Sequence, residues 1–340
     1  MIDYFIKKSS SLDSKELILS YLEICKNLMF QEEEQVRKVM QIMTKNIRLF
    51  AYKNCNFYRS IEKINVIEKS MLIDKSKWFV KGIKSKEMLT NGTSTGNKFY
   101  YQVLEETFDQ IEANIHYGSI LDEFKIKKRP TILCLLSQHL HPQATSQSKF
   151  VILDSPKSPL HSHGASDSIV HIINAAPDLN KDIESQFKMI LDYTVDKKFD
   201  IILTSGPFIN SFVYYCKKYN IKRNICNLLS NTCEQMVLED VLFLKNKNII
   251  ENYCDHMRCW DGGASFFTCK YNVYHLMDNL SNCYSDENGR LISTDYFSLS
   301  CPFINYWNGD YANIKKEYKR CNCGRLYRDF KFLEPRDFSQ

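Results

Sequence analysis

The part of the chain between residues 130 and 230 constrains the fold most, because short β-rich runs alternate there with helical patterns. Strands that alternate with helices tend to pair in parallel, since each crossover helix returns the chain to the same edge of the sheet. The alternation therefore predicts an α/β domain with a largely parallel sheet flanked by helices. With 340 residues, the chain is long enough for one large domain or two medium ones. The β-rich runs are 130–136, 150–153, 201–204 and 225–230, and the helical patterns are 181–193 and 208–219.

The sequence on either side of this region has a different texture. Residues 14–45 show a helical pattern, with apolar side chains near one face and charged residues on the rest. After about Asp261 short strands and turns predominate, and Asp286-Glu287-Asn288-Gly289 is typical of a hairpin turn. We therefore predict a helical N-terminal segment at 1–60, an α/β core at 61–261 and a β-rich subdomain at 262–340.

Composition and charge narrow the functional classes. The 45 basic and 40 acidic residues give a net charge of +5, and the basic residues are scattered, which argues against a nucleic-acid partner. No apolar run approaches the roughly 18 residues that span a bilayer, and the N-terminus does not resemble a signal peptide. We therefore expect a cytoplasmic protein that contacts neither nucleic acid nor membrane.

The chain contains 13 cysteines, and in a long chain without a signal peptide these indicate free thiols or a metal site. Most of them have apolar neighbours, so we interpret Cys25, Cys134, Cys216 and Cys226 as small core residues.

A loop rich in glycine and hydroxyl side chains, Thr90-Asn91-Gly92-Thr93-Ser94-Thr95-Gly96, is the first candidate site. Glycines let the backbone curl so that several N–H groups converge on an oxyanion, and the hydroxyls add donors. The loop lacks the Gly-Lys-Ser/Thr of a Walker A motif. A triphosphate cradle, to which Lys98 adds charge, and an ordinary surface connection both fit this segment.

A second candidate is Asp310, which follows Gly309 after the aromatic pair Tyr306-Trp307. A carboxylate in this position can accept hydrogen bonds from both hydroxyls of a ribose. A plain Gly-Asp turn is the alternative.

A third candidate combines Cys269 and His275 with Cys321 and Cys323. Three thiolates and one imidazole form a Cys₃His set that suits tetrahedral zinc, and Gly324 allows a tight turn around a metal. The Cys-x-Cys spacing is shorter than the common Cys-x₂-Cys, so unrelated thiols remain an alternative.

The order of these segments resembles the adenylate-forming superfamily over residues 60–335, and the blocks after Cys269 resemble its phenylacetate–CoA ligase-like branch. The first 60 residues carry no such resemblance. The blocks that carry it are the loop at 90–96, 230–234 (Ser-Asn-Thr-Cys-Glu), 257–261 (Met-Arg-Cys-Trp-Asp), 269–278, 289–294, 306–310 (Tyr-Trp-Asn-Gly-Asp) and 323–329 (Cys-Gly-Arg-Leu-Tyr-Arg-Asp).

The resemblance implies the large domain of an adenylate-forming enzyme, with mixed and parallel sheets flanked by helices and a β-rich C-terminal subdomain. It implies ATP-dependent activation of a carboxylic acid as its acyl-adenylate, with release of pyrophosphate and formation of AMP. ATP or AMP, Mg²⁺ and a structural Zn²⁺ would be the cofactors, and 61–261 would bind nucleotide and acid. The implied nucleotide-binding residues are Thr93, Ser94, Thr95, Gly96, Lys98, Asn231, Thr232, Asp310 and Arg325. The implied catalytic residues are Asp261 near Mg²⁺, Arg258 near phosphate and His139 near the acyl pocket, and the zinc ligands are Cys269, His275, Cys321 and Cys323.

The sequence also departs from the family pattern. Met257-Arg258 stands where the family has Tyr-Gly, and Asp261 stands where it has a glutamate. Only residues 330–340 follow the hinge-like segment, so we expect the family's C-terminal lid domain to be absent. The expected partners are a small carboxylic acid and an acceptor such as CoA, an acyl-carrier or a separate lid-domain protein. Three alternatives stay open: a non-catalytic nucleotide-binding subunit that needs such a partner, an acyltransferase that uses Cys233 or Cys259, and a zinc-stabilised binding module without nucleotide.

Overall fold

The structure is a computed structural model, which describes residues 1–9, 14–61, 65–80, 85–89, 100–104, 108–127, 130–135, 150–154, 169–173, 182–232, 237–258 and 264–333. In the described ranges, no helix is both long and apolar enough to cross a membrane. The α-helices are α1 (Ile2–Lys8), α2 (Ser14–Leu28), α3 (Glu33–Asn54), α4 (Asn56–Arg59), α5 (Lys75–Trp78), α6 (Phe108–Glu123), α7 (Ile183–Tyr193), α8 (Gly206–Lys218) and α9 (Leu238–Asn246).

The strands divide between a parallel group in the middle of the chain and an antiparallel group near its end. A short 3-10 helix, Lys69–Leu72, follows the first strand. The strands are β1 (Ile67–Glu68), β2 (Ser85–Leu89), β3 (Tyr100–Leu104), β4 (Ile132–Leu135), β5 (Phe150–Asp154), β6 (Ile169–Ile173), β7 (Phe199–Ser205), β8 (Cys226–Thr232), β9 (Ile250–Arg258), β10 (Ser265–Thr268), β11 (Tyr274–Leu276), β12 (Ser281–Ser285), β13 (Arg290–Asp295), β14 (Tyr306–Arg320) and β15 (Leu326–Phe332).

The chain forms two compact units. The first unit comprises Met1–His116, Arg258–Phe266 and Val273–Gln340, and the second comprises Tyr117–Met257 and Phe267–Asn272. The predicted division into 1–60, 61–261 and 262–340 stays a prediction.

The first unit contains a sheet in the order β1-β14-β13-β12, with β15 paired to β14. The pairs β12–β13, β13–β14 and β14–β15 are antiparallel, whereas β1 runs parallel to β14. Aromatic side chains build the core beneath it: Trp78 packs edge-on against Phe303 with ring centroids 5.0 Å apart, and the Trp78 indole donates to the Pro302 carbonyl at 3.2 Å. Burial of such side chains is the main stabilising contribution of this core.

The predicted hairpin turn at 286–289 is present between β12 and β13. Gly289 adopts a φ of +76°, a conformation that glycine takes without steric cost. The Asp286 carboxylate accepts hydrogen bonds from the backbone N–H groups of Asn288 and Arg290, at 3.0 and 2.9 Å. The turn therefore depends on a side-chain acceptor as well as on the glycine.

The second unit contains strands in the order β9-β8-β7-β4-β6-β5. All neighbours among them pair in parallel except β5 and β6. The side chains of Ile202, Leu229 and Tyr253 are buried in one core cluster with residues of α7, α8 and α9. The α/β architecture predicted from the alternating pattern is therefore confirmed.

The helical pattern predicted at 14–45 is divided in the structure. Helix α2 ends at Leu28, and α3 begins at Glu33 and continues to Asn54. The connecting carbonyls are used by distant residues, because Met29 O accepts from Leu326 N at 2.6 Å and Gln31 O accepts from Arg320 at 2.8 Å. These tertiary hydrogen bonds favour a break that helix propensity alone does not predict. The predicted core cysteines Cys25, Cys134, Cys216 and Cys226 are all buried.

Candidate functional site

Three adjacent parallel strands of the second unit carry polar side chains on one face of the sheet, near their carboxyl ends. Thr204 on β7 lies opposite Asn231 on β8, and Asn231 lies opposite Asp255 on β9. These three residues, here called the polar row, are 0%, 1% and 6% exposed. Ligands of open α/β sheets bind outside the carboxyl ends of the strands, which is where the polar row lies.

Asn231 and Asp255 are joined by a short hydrogen-bond network. The Asn231 amide donates to Asp255 Oδ1 at 2.8 Å, and the Tyr253 hydroxyl donates to the same oxygen. The backbone N–H of Asp255 donates to the Thr268 hydroxyl at 2.8 Å. The carboxylate therefore has a fixed orientation, as expected of a buried charged group that must be hydrogen-bonded.

His256 is buried next to Asp255, and its ring packs edge-on against Tyr117 at 5.3 Å between centroids. Burial lowers the pKa of the imidazole to about 4, because the charged form loses its hydration. The ring is therefore neutral at physiological pH.

In the first unit, Asp310 lies in a bulge of β14. Ile292 pairs with Trp307 and Arg290 with Tyr311, so β14 contains two more residues than β13 between these two pairs. Gly309, in the bulge, has a φ of +104°. Bulges of this kind re-aim side chains and are frequent beside active sites.

The bulge fixes the Asp310 carboxylate locally. Asp310 Oδ2 accepts from the Asn308 side-chain amide at 2.8 Å, and Asp310 N donates to Asn308 Oδ1 at 3.0 Å. The Trp307 indole donates to the Asp310 carbonyl at 2.9 Å. The result is a buried, oriented carboxylate, the geometry required to accept hydrogen bonds from the two hydroxyls of a ribose.

Arg325 lies at the other end of the same hairpin. The pairing of Arg320 with Leu326 and of Ala312 with Phe332 places Arg325 roughly 30 Å of strand from Asp310. The Arg325 guanidinium lies over the Phe30 ring at 4.7 Å. Arg325 and Asp310 therefore lie at opposite ends of the hairpin, and the nucleotide-binding role of Arg325 stays a prediction.

The predicted metal ligands Cys269, His275, Cys321 and Cys323 come together, and their ligand atoms all lie within 4.8 Å of one another. Cys323 Sγ is 3.4 Å from His275 Nε2. A tetrahedral zinc ion with bonds of about 2.3 Å to sulfur keeps its ligand atoms roughly 3.8 Å apart, so small side-chain movements suffice to accommodate one. The donor set fits zinc.

A tight turn, 321–325, presents the last two cysteines. Gly324 N donates to Cys321 O at 2.8 Å and Cys321 N donates to Arg325 O at 2.9 Å, while Gly324 adopts a φ of +90°. This turn, here called the knuckle, is the place where the sequence has Cys-x-Cys-Gly.

Sequence reasoning missed the buried ion pair between Arg328 and Asp278. Arg328 Nε donates to Asp278 Oδ2 at 2.9 Å, a second guanidinium nitrogen contacts Oδ1, and the Tyr318 hydroxyl donates to Oδ2 at 2.7 Å. Burial alone would lower the pKa of Arg328, but the Asp278 carboxylate raises it, so the guanidinium remains charged. The neighbouring Asp329 instead pairs at the surface with Lys319, at 2.5 Å.

Several predicted site residues lie outside the described residues: Thr93, Ser94, Thr95, Gly96, Lys98, His139 and Asp261. The ends of the loop 90–99 are nevertheless placed, because β2 and β3 pair antiparallel with Leu89 opposite Tyr100. Thr232 ends β8, where its register partner is His256, and Arg258 ends β9.

Thr204 and Asp255 also escaped the sequence analysis. Thr204 ends the predicted run 201–204, whereas Asp255 lies in β9, which was not predicted as a strand. Their proximity requires the parallel register of three strands. Polar residues near the carboxyl ends of successive strands are the signal that could have identified them, once 250–258 is recognised as a strand.

No protein-family model matches the chain, and no curated protein matches it. Solved structures do match. An open conformation of 2-hydroxyisobutyryl-CoA ligase, in complex with 2-HIB-AMP and CoA, is 9% identical with a TM-score of 0.63, covering 88% of this chain and 74% of the ligase.

The same ligase in its thioesterification state, with 2-HIB-AMP and CoA, is 12% identical with a TM-score of 0.63, covering 88% of this chain and 68% of the ligase. Its postadenylation state with R3-HIB-AMP is also 12% identical, with a TM-score of 0.61, covering 86% and 66%. At these identities the likeness concerns the fold, and this chain has the α/β fold of adenylate-forming ligases.

Proposed function

We propose that this protein activates a carboxylic acid with ATP, forming an acyl-adenylate and pyrophosphate. The observation that carries the proposal is the buried, oriented Asp310 carboxylate in a glycine-containing bulge, on a fold whose solved neighbour was crystallised with an acyl-adenylate and CoA. Such a carboxylate can accept hydrogen bonds from the ribose hydroxyls, and the similarity of fold supports this class of reaction.

In this reaction the substrate carboxylate attacks the α-phosphorus of ATP, the bond to the bridging oxygen breaks, and pyrophosphate leaves. The protein contributes mainly positioning and charge stabilisation. Asp310 would accept the ribose hydroxyls, and Asn231 and Thr232 would border the adenine. Thr93, Ser94, Thr95, Gly96 and Lys98 are proposed to hold the β- and γ-phosphates.

Asp261 is proposed to hold Mg²⁺, with Arg258 near phosphate and His139 near the acyl group. Mg²⁺ would neutralise charge on the phosphates. CoA or an acyl-carrier thiol would then take the acyl group from AMP, as the CoA-bound state of the neighbouring ligase suggests. Membership of the phenylacetate–CoA ligase-like branch is part of the same proposal, supported by the blocks between Cys269 and Arg325.

We further propose that Cys269, His275, Cys321 and Cys323 hold a structural zinc ion. The support is the convergence of their four ligand atoms within 4.8 Å. When bound, zinc would cross-link the knuckle to the segment that carries Cys269 and His275.

The test of adenylation is acid-dependent ATP–pyrophosphate exchange with Mg²⁺ over a broad panel of acids. Asp310→Asn is compared with Asp329→Asn, a matched change on the same hairpin at an exposed ion pair. We expect exchange with at least one acid, a loss of about 10- to 100-fold in Asp310→Asn, and little change in the control.

Two outcomes contradict this proposal. ATP binding without exchange for any acid would favour the alternative of a nucleotide-binding subunit that needs a partner. Equal losses in both variants would show that the effect does not arise at Asp310.

Metal content tests the zinc proposal independently of activity. We expect about one zinc ion per chain, lost in Cys321→Ser and retained in Cys283→Ser, which changes a buried cysteine outside the cluster. A metal-free protein with unchanged thermal stability would contradict a structural zinc ion.

A further inference from the structure

Along three neighbouring strands, the buried side chains change from mainly apolar to polar at the polar row. Two residues earlier on each strand, and on the same face, the side chains are Ile202, Leu229 and Tyr253, all within the core of the second unit. At Thr204, Asn231 and Asp255 the chemistry becomes polar while burial is maintained. A buried polar group destabilises the fold unless it is hydrogen-bonded, so a continuous row of three requires a reason.

Thr204 gives the clearest indication of a ligand. Its side chain is fully buried, and among the described residues its hydroxyl oxygen has no hydrogen-bond partner. Valine would fill the same space and suit a β-strand equally well. A hydroxyl here is explained if a bound molecule completes its hydrogen bonds.

Asp255 adds an acceptor to the row. The Asn231 amide and the Tyr253 hydroxyl both donate to Oδ1 and so hold the carboxylate in one orientation. A carboxylate accepts hydrogen bonds, so a ligand group that binds to Asp255 would supply an O–H or N–H donor.

We propose that the polar row recognises an O–H or N–H group on the substrate acid, which makes the substrate a hydroxy- or amino-substituted carboxylic acid and not a plain alkyl or aryl acid. This inference rests on the proposed function. Thr204 and Asp255 are the specificity-determining residues, and Asn231 positions Asp255.

Thr204 and Asp255 suit the acid better than the adenine base, which Asn231 and Thr232 would border. The edge of adenine places the acceptor N1 beside its amino group, and a carboxylate repels that nitrogen.

Size-matched acid pairs test the inference. 2-Hydroxyisobutyrate is compared with pivalate, in which a methyl replaces the hydroxyl, and 4-aminobenzoate with 4-methylbenzoate. Pyrophosphate exchange and ligand-induced thermal shift are both measured, because the thermal shift requires no turnover. We expect the wild type to favour a donor-bearing acid over its methyl analogue by about 10-fold or more.

Thr204→Val and Asp255→Asn are the informative variants, since both preserve shape. We expect each to reduce the preference ratio by about 10-fold while the protein remains folded by circular dichroism. Thr194→Val is the matched control: Thr194 is buried in the same unit, but its hydroxyl donates to Leu191 O within α7. It should alter stability without altering the preference.

Equal use of both members of every pair by the wild type, or an unchanged ratio in both variants, would overturn the inference. A changed discrimination between ATP and purine riboside triphosphate, with acid preference intact, would assign the row to the base and also overturn it. If ATP binds but no acid supports exchange, the proposed function fails. The inference then survives only if donor-bearing acids still shift the melting temperature of the wild type and not of Thr204→Val.

Discussion

The two ends of the β14–β15 hairpin are built differently, although one pair of strands connects them. At one end Asp310 lies in a bulge where the Asn308 amide donates to its carboxylate and the Trp307 indole to its carbonyl. At the other end the knuckle and the start of β15 are tied to distant parts of the first unit. Arg325 lies over the Phe30 ring, Leu326 N donates to Met29 O, and Arg328 pairs with Asp278. The knuckle end has the construction of a stabilising site and the bulge end that of a binding site.

The difference follows from what each end must do. A metal cluster and a buried ion pair gain from many fixed neighbours, because each ligand must be held in place. A ligand acceptor must keep hydrogen-bonding capacity for a molecule that comes and goes. Changes at the knuckle should therefore act on stability, and changes at the bulge on binding and catalysis.

The largest effect should follow removal of the metal ligands. Cys321→Ser, or treatment of the wild type with a chelator, should lower the free energy of unfolding by more than about 4 kcal/mol, because structural zinc contributes directly to folding. The measurement is chemical denaturation with and without chelator. If the chelator leaves the wild-type midpoint unchanged, the stabilising role of the knuckle is contradicted.

The next largest effect should come from Asp278→Asn. It leaves the Arg328 guanidinium buried without its carboxylate, and breaking a buried pair in this way costs about 3–5 kcal/mol. Denaturation of Asp278→Asn is compared with Asp329→Asn, whose exposed pair should be worth at most about 1 kcal/mol. Similar losses in the two variants would remove the distinction between buried and surface pairs on this hairpin.

The knuckle was easier to predict from the sequence than the polar row. Cysteine and histidine are rare, and their spacing with Gly324 indicated a metal site before any fold was known. The Asn231–Asp255 contact joins residues on two strands and depends on their parallel register, which neither strand's own sequence reveals. The sequence likewise does not show that Arg325 and Asp310 lie at opposite ends of one hairpin, because this separation depends on the length of β14.

Strands and turns were predicted where local chemistry determines them, as at the β12–β13 turn and at strands β4, β7 and β8. The break between α2 and α3 was not predicted, because it depends on hydrogen bonds from Arg320 and Leu326, which follow almost three hundred residues later.

At the bulge, Asp310→Asn should act on the reaction and hardly on folding. Replacing a charged acceptor by a neutral amide should lower acid-dependent exchange by about 30-fold, equivalent to about 2 kcal/mol. The melting temperature should change little, since Asn308 can still bond to the new side chain. A large fall in stability with normal exchange per folded molecule would reverse the comparison between the two ends.

Gly309 and Gly324 provide the smallest and most closely matched test, because both have a positive φ, +104° and +90°. Alanine at either position should introduce strain of about 1–2 kcal/mol. At Gly324 a Cβ would meet the Phe30 ring at 3.5 Å, an ordinary contact, so strain alone should weaken the knuckle. Gly324→Ala should therefore reduce zinc retention and leave ATP binding intact, whereas Gly309→Ala should weaken ATP binding about 10-fold and leave zinc in place. Calorimetric titration measures ATP binding by both variants, and metal analysis measures their zinc content. Loss of both zinc and ATP affinity in each variant would mean that the hairpin transmits strain from one end to the other.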